Sequence, residues 1–533
     1  MPDTIPGLLL GAAQRDPDKV WLRADTGAGQ HVERAGDEVT FAQAVAQVAG
    51  TVRRLGTCGV RRGDLVLVTM RTTPTHLLAW LALTSMGAIA VTADPAQSPA
   101  ELGGLLTQVR PRLTLTDAQT LAMVESAGAG TLSERGIARV DELVDHSPYA
   151  SGGAPELPGL PSPDAVATLI PTSGTTGRSK LVMQTHRAYA MAGEGFPYWM
   201  ELTAQDCLMT SLPLFHINAA AYSVMGSLAC GAALALLPRF SASGFLDSAR
   251  RLGATEFNAI GAMLEMLMLQ PERPDDADTA LRLAYTGPSP TRQRQEEMEA
   301  RFGLRIVCGY ALSESPYGLI WPHGTRPFGT LGALRQHPTL GVVNAGRVVD
   351  EAGADVAAGA VGELLLRNPV VTPGYWQMPQ ETAATIVEGW LHTGDLVTVD
   401  AGGCFTFVAR KKEVLRRRGQ NLSPVEVEDA IAAHPDVAEC AVVAVPSELS
   451  EDDVKAFVVA RAGHRLDFAA LSDFAAQRLT AFKVPRYWQG LDALPRTPTA
   501  RVAKHRLPTG HPPGEYDAQS PATVPGTDEQ DTR

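Results

Sequence analysis

The chain has 533 residues, with 46 basic and 58 acidic side chains and a formal net charge of −12. Hydrophobic residues make up 45% and charged residues 20%, enough for a sizeable core and too apolar for general disorder. The acidic balance argues against nucleic-acid binding by phosphate neutralisation, and at roughly 100–200 residues per domain the length suggests several domains, or a large one with a smaller partner.

The N-terminal stretch Met1 to Asp18 has a short apolar run with no basic region before it, so no secretory signal is expected. Cys58, Cys207, Cys230, Cys308, Cys404 and Cys440 lie far apart without a CxxC pair, which predicts neither a zinc site nor a disulfide framework but reduced thiols in the cytoplasm. Asp64 to Met70 (DLVLVTM) is β-rich and apolar on both faces, the mark of a buried parallel strand, and His76 to Ala88 predicts the helix that follows. The strand signal returns in Ala165 to Pro171 and in the LALLP segment ending at Pro238. The apolar stretch Ala219 to Leu237 is broken by Gly226, Ser227 and Gly231. A buried helix turning into a buried strand explains it better than a membrane span. Strand–helix alternation of this kind predicts doubly wound α/β layers.

From Gly362 the texture changes. Gly362 to Arg367 and Cys404 to Val408 read as shorter strands joined by tight turns such as Asp400-Ala-Gly-Gly403, and Ala409 to Gly419 is a dense basic run. Ser423, Pro424 and Glu426 then stand as N-cap, N1 and N3 of a helix with a capping box, and a strand follows at Glu439 to Val445. These elements predict a compact α+β domain. Residues 508–533 show no hydrophobic periodicity and are expected to form a disordered tail.

The most informative segment is Thr172-Ser-Gly-Thr-Thr-Gly-Arg-Ser-Lys180, directly after a predicted strand. Gly174 and Gly177 free the backbone to curl, so its N–H groups can surround an anion. Ser173, Thr175 and Thr176 add donors, and Arg178 and Lys180 add positive charge. That composition makes a phosphate cradle, and the spacing is not that of a Walker A loop. Taken alone, a Gly/Ser/Thr loop is more often a plain surface turn; the order and the preceding strand favour the cradle.

With this loop and several later motifs in the same order, the sequence resembles the adenylate-forming superfamily of acyl-CoA synthetases, non-ribosomal peptide adenylation domains and luciferases, from about Asp37 to Leu507. The family loop TSGTTGxPKG has Ser179 and Leu181 here in place of proline and glycine. Gly309-Tyr-Ala-Leu-Ser-Glu314 is similar to the YGxTE motif. The resemblance implies that Tyr310 stacks on adenine beside Gly309 and Ala311, that Ser313 contacts phosphate, and that Glu314 holds Mg²⁺, for which a hard oxygen is the right ligand. Tyr285-Thr-Gly-Pro-Ser289 stands where the family turn lines the adenine and acyl pockets, which brings in Gly287, Pro288 and Ser289. In Trp390-Leu-His-Thr-Gly-Asp395 the aspartate would accept hydrogen bonds from both ribose hydroxyls. Arg410-Lys-Lys-Glu413 resembles the family hinge, with Arg410 on ribose and phosphate and Glu413 as pivot; Gly419 and Asn421 to Pro424 match the lining of a CoA channel. A solvated basic strand end is the plain reading of Lys411 and Arg416 to Arg418.

One motif departs from the pattern. Family members end in PxTxxGK, where the lysine reaches the acid and the α-phosphate, but this chain reads Pro495-Arg-Thr-Pro-Thr-Ala-Arg-Val-Ala-Lys504. Arg501 stands at the lysine position, a planar fork in place of a point charge. Lys504 lies three residues on, which along a strand is the opposite face. Arg501 does the work, another residue does it, or the acid is not an ordinary carboxylate. The candidate catalytic set is thus Thr175, Lys180, Glu314, Arg501 and Lys504. Pro213-Leu-Phe-His-Ile-Asn218 resembles an acyl-gating segment, closest in kind to carnitine/crotonobetaine-CoA ligases, and places His216 with Tyr222, Ser315 and Tyr317 in the substrate pocket. Arg335 and His337 add cationic groups suited to a small or polar acid.

The resemblance implies an α/β fold: a large N-terminal domain over 1–412, made of doubly wound α/β subdomains plus a small β-barrel-like part, then a small mobile α+β lid over 413–507 and the tail. It implies an AMP-forming ligase that uses ATP and Mg²⁺ to adenylate a small-molecule acid and passes it to an acceptor, CoA by default, with the lid swinging between the two steps. A cytoplasmic homodimer with no membrane span and no nucleic-acid partner goes with that reading. A diazotase of secondary metabolism, activating nitrite for reaction with an aryl amine, stays open because of the missing lysine and the altered loops after Glu314. A catalytically impaired nucleotide-binding homologue stays open because of Arg501.

Overall fold

The structure is a computed structural model that describes residues 3–25, 38–144, 157–172, 179–287, 289–411, 415–417, 420–446, 452–497, 502–508, 510–512 and 514–519. It is a mixed α/β fold with a large N-terminal and a small C-terminal domain.

Strands that are apolar on both faces need cover on both faces, and helices supply it. Leu65–Thr69, Ile89–Ala93, Leu113–Thr116, Ile137–Arg139 and Val166–Thr172 pair in parallel, and Lys180–Thr185 closes that sheet as an antiparallel edge. A second sheet runs parallel through Val20–Ala24, Ala233–Leu236, Cys207–Thr210, Glu256–Asn258, Leu283–Thr286 and Arg305–Leu312. It then turns antiparallel at Ser315–Ile320. The helix expected after the first predicted strand is Pro74–Ser85, started by the Thr73 hydroxyl on the His76 N–H at 3.1 Å and by a proline in the first turn. The stretch from Ala219 does form a buried helix leading into a strand, but its first six residues, Ala219–Val224, are wound as a π-helix. No described helix is long and apolar enough to cross a membrane.

The third sheet is antiparallel and joins Ala345–Val349, Gly362–Arg367, Trp390–Val399 and Phe405–Arg410. Its core of Val348, Leu364, Leu391 and Phe405 also takes in Leu319 from the second sheet, which fixes the two against each other. In the small domain Val437–Pro446 and Asp452–Ala460 pair antiparallel, and Tyr487–Gly490 extends the sheet. The helices Pro424–Ala432 and Phe468–Ala476 contribute Val427, Ile431, Leu471 and Ala475 to its core.

Two local expectations are corrected here. Ser423 is the N-cap residue but forms no capping bond: its Oγ donates to the Val408 carbonyl at 2.6 Å, while Glu426 takes Lys483 at 2.5 and 2.7 Å. Partners from other elements outcompete the local box. The expected tail returns to the small domain between 510 and 519. Tyr516–Asp517 add a strand to Tyr487–Gly490, and Glu515 lies 2.5 Å from Lys455, whose side chain is wholly buried. Arg486 bridges Asp453 and Asp517 at 3.0 and 3.1 Å. The anchor is made of backbone pairing, ion pairs and the single ring of Tyr516 against the core, so hydrophobic periodicity could not reveal it. Residues 520–533 lie outside the described residues.

Candidate active site

The ends of the predicted cradle are a strand pair, Thr172 opposite Lys180, with the Thr172 hydroxyl donating to the Lys180 carbonyl at 3.4 Å. Ser173, Gly174, Thr175, Thr176 and Gly177 lie outside the described residues. The Lys180 ammonium sits over the Tyr375 ring, 4.6 Å from its centre, and the Tyr375 hydroxyl donates to Glu314 Oε1 at 2.9 Å. Tyr375 escaped the sequence reading, because Pro373-Gly374 announces a turn but not where it docks. The turn runs beside Lys180–Thr185, with the Met183 N–H on the Gly374 carbonyl at 3.0 Å and the Trp376 N–H on the Leu181 carbonyl at 2.8 Å. Gly374 has φ +133°, and a Cβ there would meet Thr382 Cγ2 at 2.3 Å, so only glycine lets the chain through. Burial, and then the Glu314 charge, push the Tyr375 hydroxyl pKa up and keep it a donor. Gln184 Nε2 donates to the Ser313 carbonyl, which ties the Glu314 turn to the same strand.

Asp395 lies wholly buried on Trp390–Val399, directly opposite Arg410 on Phe405–Arg410. Arg410 Nε is 2.7 Å from Asp395 Oδ1, and the Tyr310 hydroxyl donates to Asp395 Oδ2 at 2.5 Å. Burial, followed by the Asp395 charge, drives the Tyr310 pKa far up. Tyr310 stands at an irregularity of the strand pair, with Ala311 between it and Leu312. Lys411 is exposed just past the strand end, as the plain reading expected, and its Nζ lies 2.9 Å from buried Glu363. Burial alone would raise the Glu363 pKa, but Lys411 and the Gly394 N–H together hold it below the usual range. Glu413 and Gly419 lie outside the described residues.

On the other side of the same strand, Gly287 packs so closely that a Cβ would lie 2.3 Å from the Gly309 carbonyl oxygen. Pro288 lies outside the described residues, and Ser289 Oγ donates to the Pro290 carbonyl at 3.2 Å and accepts the Gly329 N–H at 3.3 Å. Tyr222, Ser315 and Tyr317, expected in the substrate pocket, are wholly buried with their hydroxyls bonded inside the protein. Tyr222 donates to the Pro316 carbonyl at 2.7 Å, Tyr317 to the Met191 carbonyl at 3.2 Å, and Ser315 accepts from Asn368 at 3.1 Å. His216 is half-buried against Phe215, ring centres 4.6 Å apart, in a segment pinned by the Leu214 N–H on Thr72 Oγ1 at 3.2 Å.

The expected cationic pair is committed too. His337 Nδ1 accepts the Thr339 N–H at 3.2 Å, which puts the ring proton on Nε2, 3.0 Å from Glu194. Arg335 is wholly buried among Trp199, Tyr222 and Tyr285.

The pattern described as AMP-binding enzyme matches residues 10–376, and that described as AMP-binding enzyme C-terminal domain matches 426–501. The chain belongs to the AMP-binding enzymes. It is 28% identical over 491 residues to crotonobetaine/carnitine–CoA ligase of Salmonella agona, spanning 88% of this chain and 93% of that one. Among solved structures it resembles ATP-bound MatB from Rhodopseudomonas palustris, at 26% identity and a TM-score of 0.81, covering 95% of this chain and 98% of the other. The anthranilate CoA ligase AuaEII, solved with anthranoyl-AMP, shares the fold at a TM-score of 0.83 and 22% identity, over 94% and 96% of the two chains.

In this AMP-binding enzyme the end of the chain departs from the sequence expectation. Lys504 is not on a strand but opens a short 3₁₀ turn, Lys504–Arg506, and its Nζ lies 2.7 Å from Glu428 on Pro424–Ala432. Arg501 lies outside the described residues. Among the described residues no three His, Cys, Asp or Glu side chains cluster as a metal cage. A single half-buried carboxylate, Glu314, fits Mg²⁺ that arrives on nucleotide phosphates, since that ion takes one or two protein oxygens and keeps water and phosphate for the rest.

Proposed function

We propose that this enzyme adenylates a small-molecule carboxylic acid with ATP and transfers the acyl group to CoA. The observation that carries the reading is that one strand and its turn, Arg305 to Glu314, meet both buried Asp395 with its partner, the half-buried Arg410, through Tyr310, and the Lys180–Tyr375–Glu314 chain. Asp395 offers carboxylate oxygens to the ribose hydroxyls and Arg410 lies beside it for ribose and phosphate. The segment between Thr172 and Lys180, with Lys180 itself, receives the phosphates. Mg²⁺ bound to the triphosphate would be held by Glu314 and would neutralise charge on the departing pyrophosphate.

An acid oxygen attacks the α-phosphorus, the bond to pyrophosphate breaks, and an acyl adenylate forms in a site whose charges are already placed. The thiol of CoA then attacks the acyl carbon and AMP leaves. On this reading the domains divide at 412/413, and the small domain turns about Glu413 between the two halves, with Gly419 beside the CoA channel. Of the alternatives for the missing lysine, Arg501 is preferred over Lys504, which is held by Glu428. The CoA ligases among the relatives support CoA as acceptor.

The test is release of AMP and pyrophosphate against short, aryl and fatty carboxylates, each with and without CoA, and against nitrite with an aromatic amine. CoA-dependent release with a carboxylate is expected. Release with nitrite and amine but no CoA would make the protein a diazotase, and ATP binding without release in any arm would sink the adenylating reading. Glu314→Gln should lower turnover by about 100-fold while ATP still binds.

A further inference from the structure

We propose that Arg335 sets the size of the acid: its guanidinium, locked by Tyr222 and Tyr285, fills the space beside Gly309 and restricts the substrate to acids of a few heavy atoms. This rests on the adenylating function proposed above.

In open α/β sheets, ligands bind outside the C-terminal ends of the parallel strands. Here those ends carry Asn258, Tyr285 and Val307 side by side in register on one face, and Gly309 follows on that same face. Tyr310 therefore turns to the other face, where it meets Asp395. What lies against Gly309 is the side chain of Arg335. A Cβ on Gly309 would stand 2.8 Å from Arg335 Nη2, 2.8 Å from the Leu319 carbonyl oxygen of the partner strand and 2.9 Å from Tyr285 Cε2, so not even a methyl group enters there; of the three, Arg335 is the side chain that a substitution can shorten without touching the strands.

Arg335 cannot easily swing aside. Its Nε donates to the Leu319 carbonyl at 2.9 Å. Nη1 donates to the Tyr222 hydroxyl at 2.5 Å and the Pro316 carbonyl at 3.0 Å, and Nη2 donates to the Tyr285 hydroxyl. The guanidinium carbon lies 4.7 Å from the Trp199 ring centre and 4.9 Å from that of Tyr222. Tyr222 stands on the π-helix Ala219–Val224, and such wide turns are frequent at functional sites.

Packing alone does not call for this residue. An apolar side chain of the same volume would fill the hole without burying a charge, and no carboxylate among the described residues forms an ion pair with Arg335. A buried cation at the strand ends suits an anion that stays short, and it opposes an apolar tail that would have to displace it.

The experiment uses non-hydrolysable acyl-sulfamoyl adenosines carrying acetyl, butyryl, hexanoyl and octanoyl groups, with calorimetric binding to the full chain and to Arg335→Met. Wild type should bind acetyl more tightly than octanoyl by about 10-fold or more, and the variant should lose or reverse that order with its affinity for ATP unchanged. Should Arg335→Met fail to fold, Tyr285→Phe loosens the cage with charge and volume kept and should shift the order by roughly 3-fold toward longer chains. An unchanged order in a folded variant, or a wild type that prefers octanoyl, overturns the proposal while leaving the adenylating function standing. If ATP binds but no mimic does, the adenylating function falls and takes the proposal with it.

Discussion

Lys455 in the small domain and Arg335 in the large one are both wholly buried cations, kept inside by different means. The Lys455 ammonium has a carboxylate at 2.5 Å, Glu515, and the Gly510 carbonyl at 2.8 Å, both supplied by the returning C-terminal segment. Arg335 has two phenols, two carbonyls and aromatic faces. An ammonium is a compact, strongly hydrated charge and needs an anion once water is gone. A guanidinium is planar and weakly hydrated, so rings can cover its faces while neutral oxygens meet its edge. One arrangement depends on a strap at the end of the chain; the other is built into the wall beside the candidate site.

The largest effect should come from removing the strap's charge. Glu515→Ala leaves Lys455 buried without its carboxylate and should destabilise the small domain by about 3–5 kcal/mol, seen as a lower melting midpoint and faster amide exchange over Tyr487–Gly490. An unchanged midpoint would mean that Lys455 is neutralised by other means.

A third way to bury a base is to leave it uncharged. His76 and His186 are held down to about 4 by burial. Their folded pKa lies below the unfolded value, so the unfolded chain takes up protons first as pH falls below about 6.5, and stability is lost from there down to about 4. Each should cost about 3 kcal/mol across that window, and melting from pH 7 to pH 4 checks it. His186→Leu should flatten a large share of the slope.

Arg335→Lys keeps the charge and loses the fork, so it should cost about 2–3 kcal/mol despite looking conservative. Urea unfolding would measure this, and a cost near zero would break the contrast drawn between the two cations. The smallest effect is expected for Tyr222→Phe, which removes one hydroxyl between Arg335 and the Pro316 carbonyl and should cost about 1–2 kcal/mol.

Much of the candidate site was legible from residues close together in the chain. The 172–180 segment, the Gly309–Glu314 turn, Asp395 and Arg410 each belong to a short motif whose chemistry is local, and Asp395 and Arg410 do meet across a strand pair. Tyr375 was not legible, since its value lies in a ring and a hydroxyl that reach Lys180 and Glu314 from elsewhere in the sequence. Nor were the Ser423 and Glu426 partners, where local capping was outbid by Val408 and Lys483.

By itself the sequence determined the alternation of buried strands and helices, the Gly/Ser/Thr-rich composition of the 172–180 segment and the order of the family motifs, because periodicity and short-range spacing are written along the chain. The tertiary structure alone decided that Arg335 is walled in beside Gly309, that Tyr222, Ser315 and Tyr317 spend their hydroxyls inside the core, and that the last described residues strap Lys455. Whether a buried polar group is free or satisfied depends on which distant segments arrive beside it, and no local pattern records that.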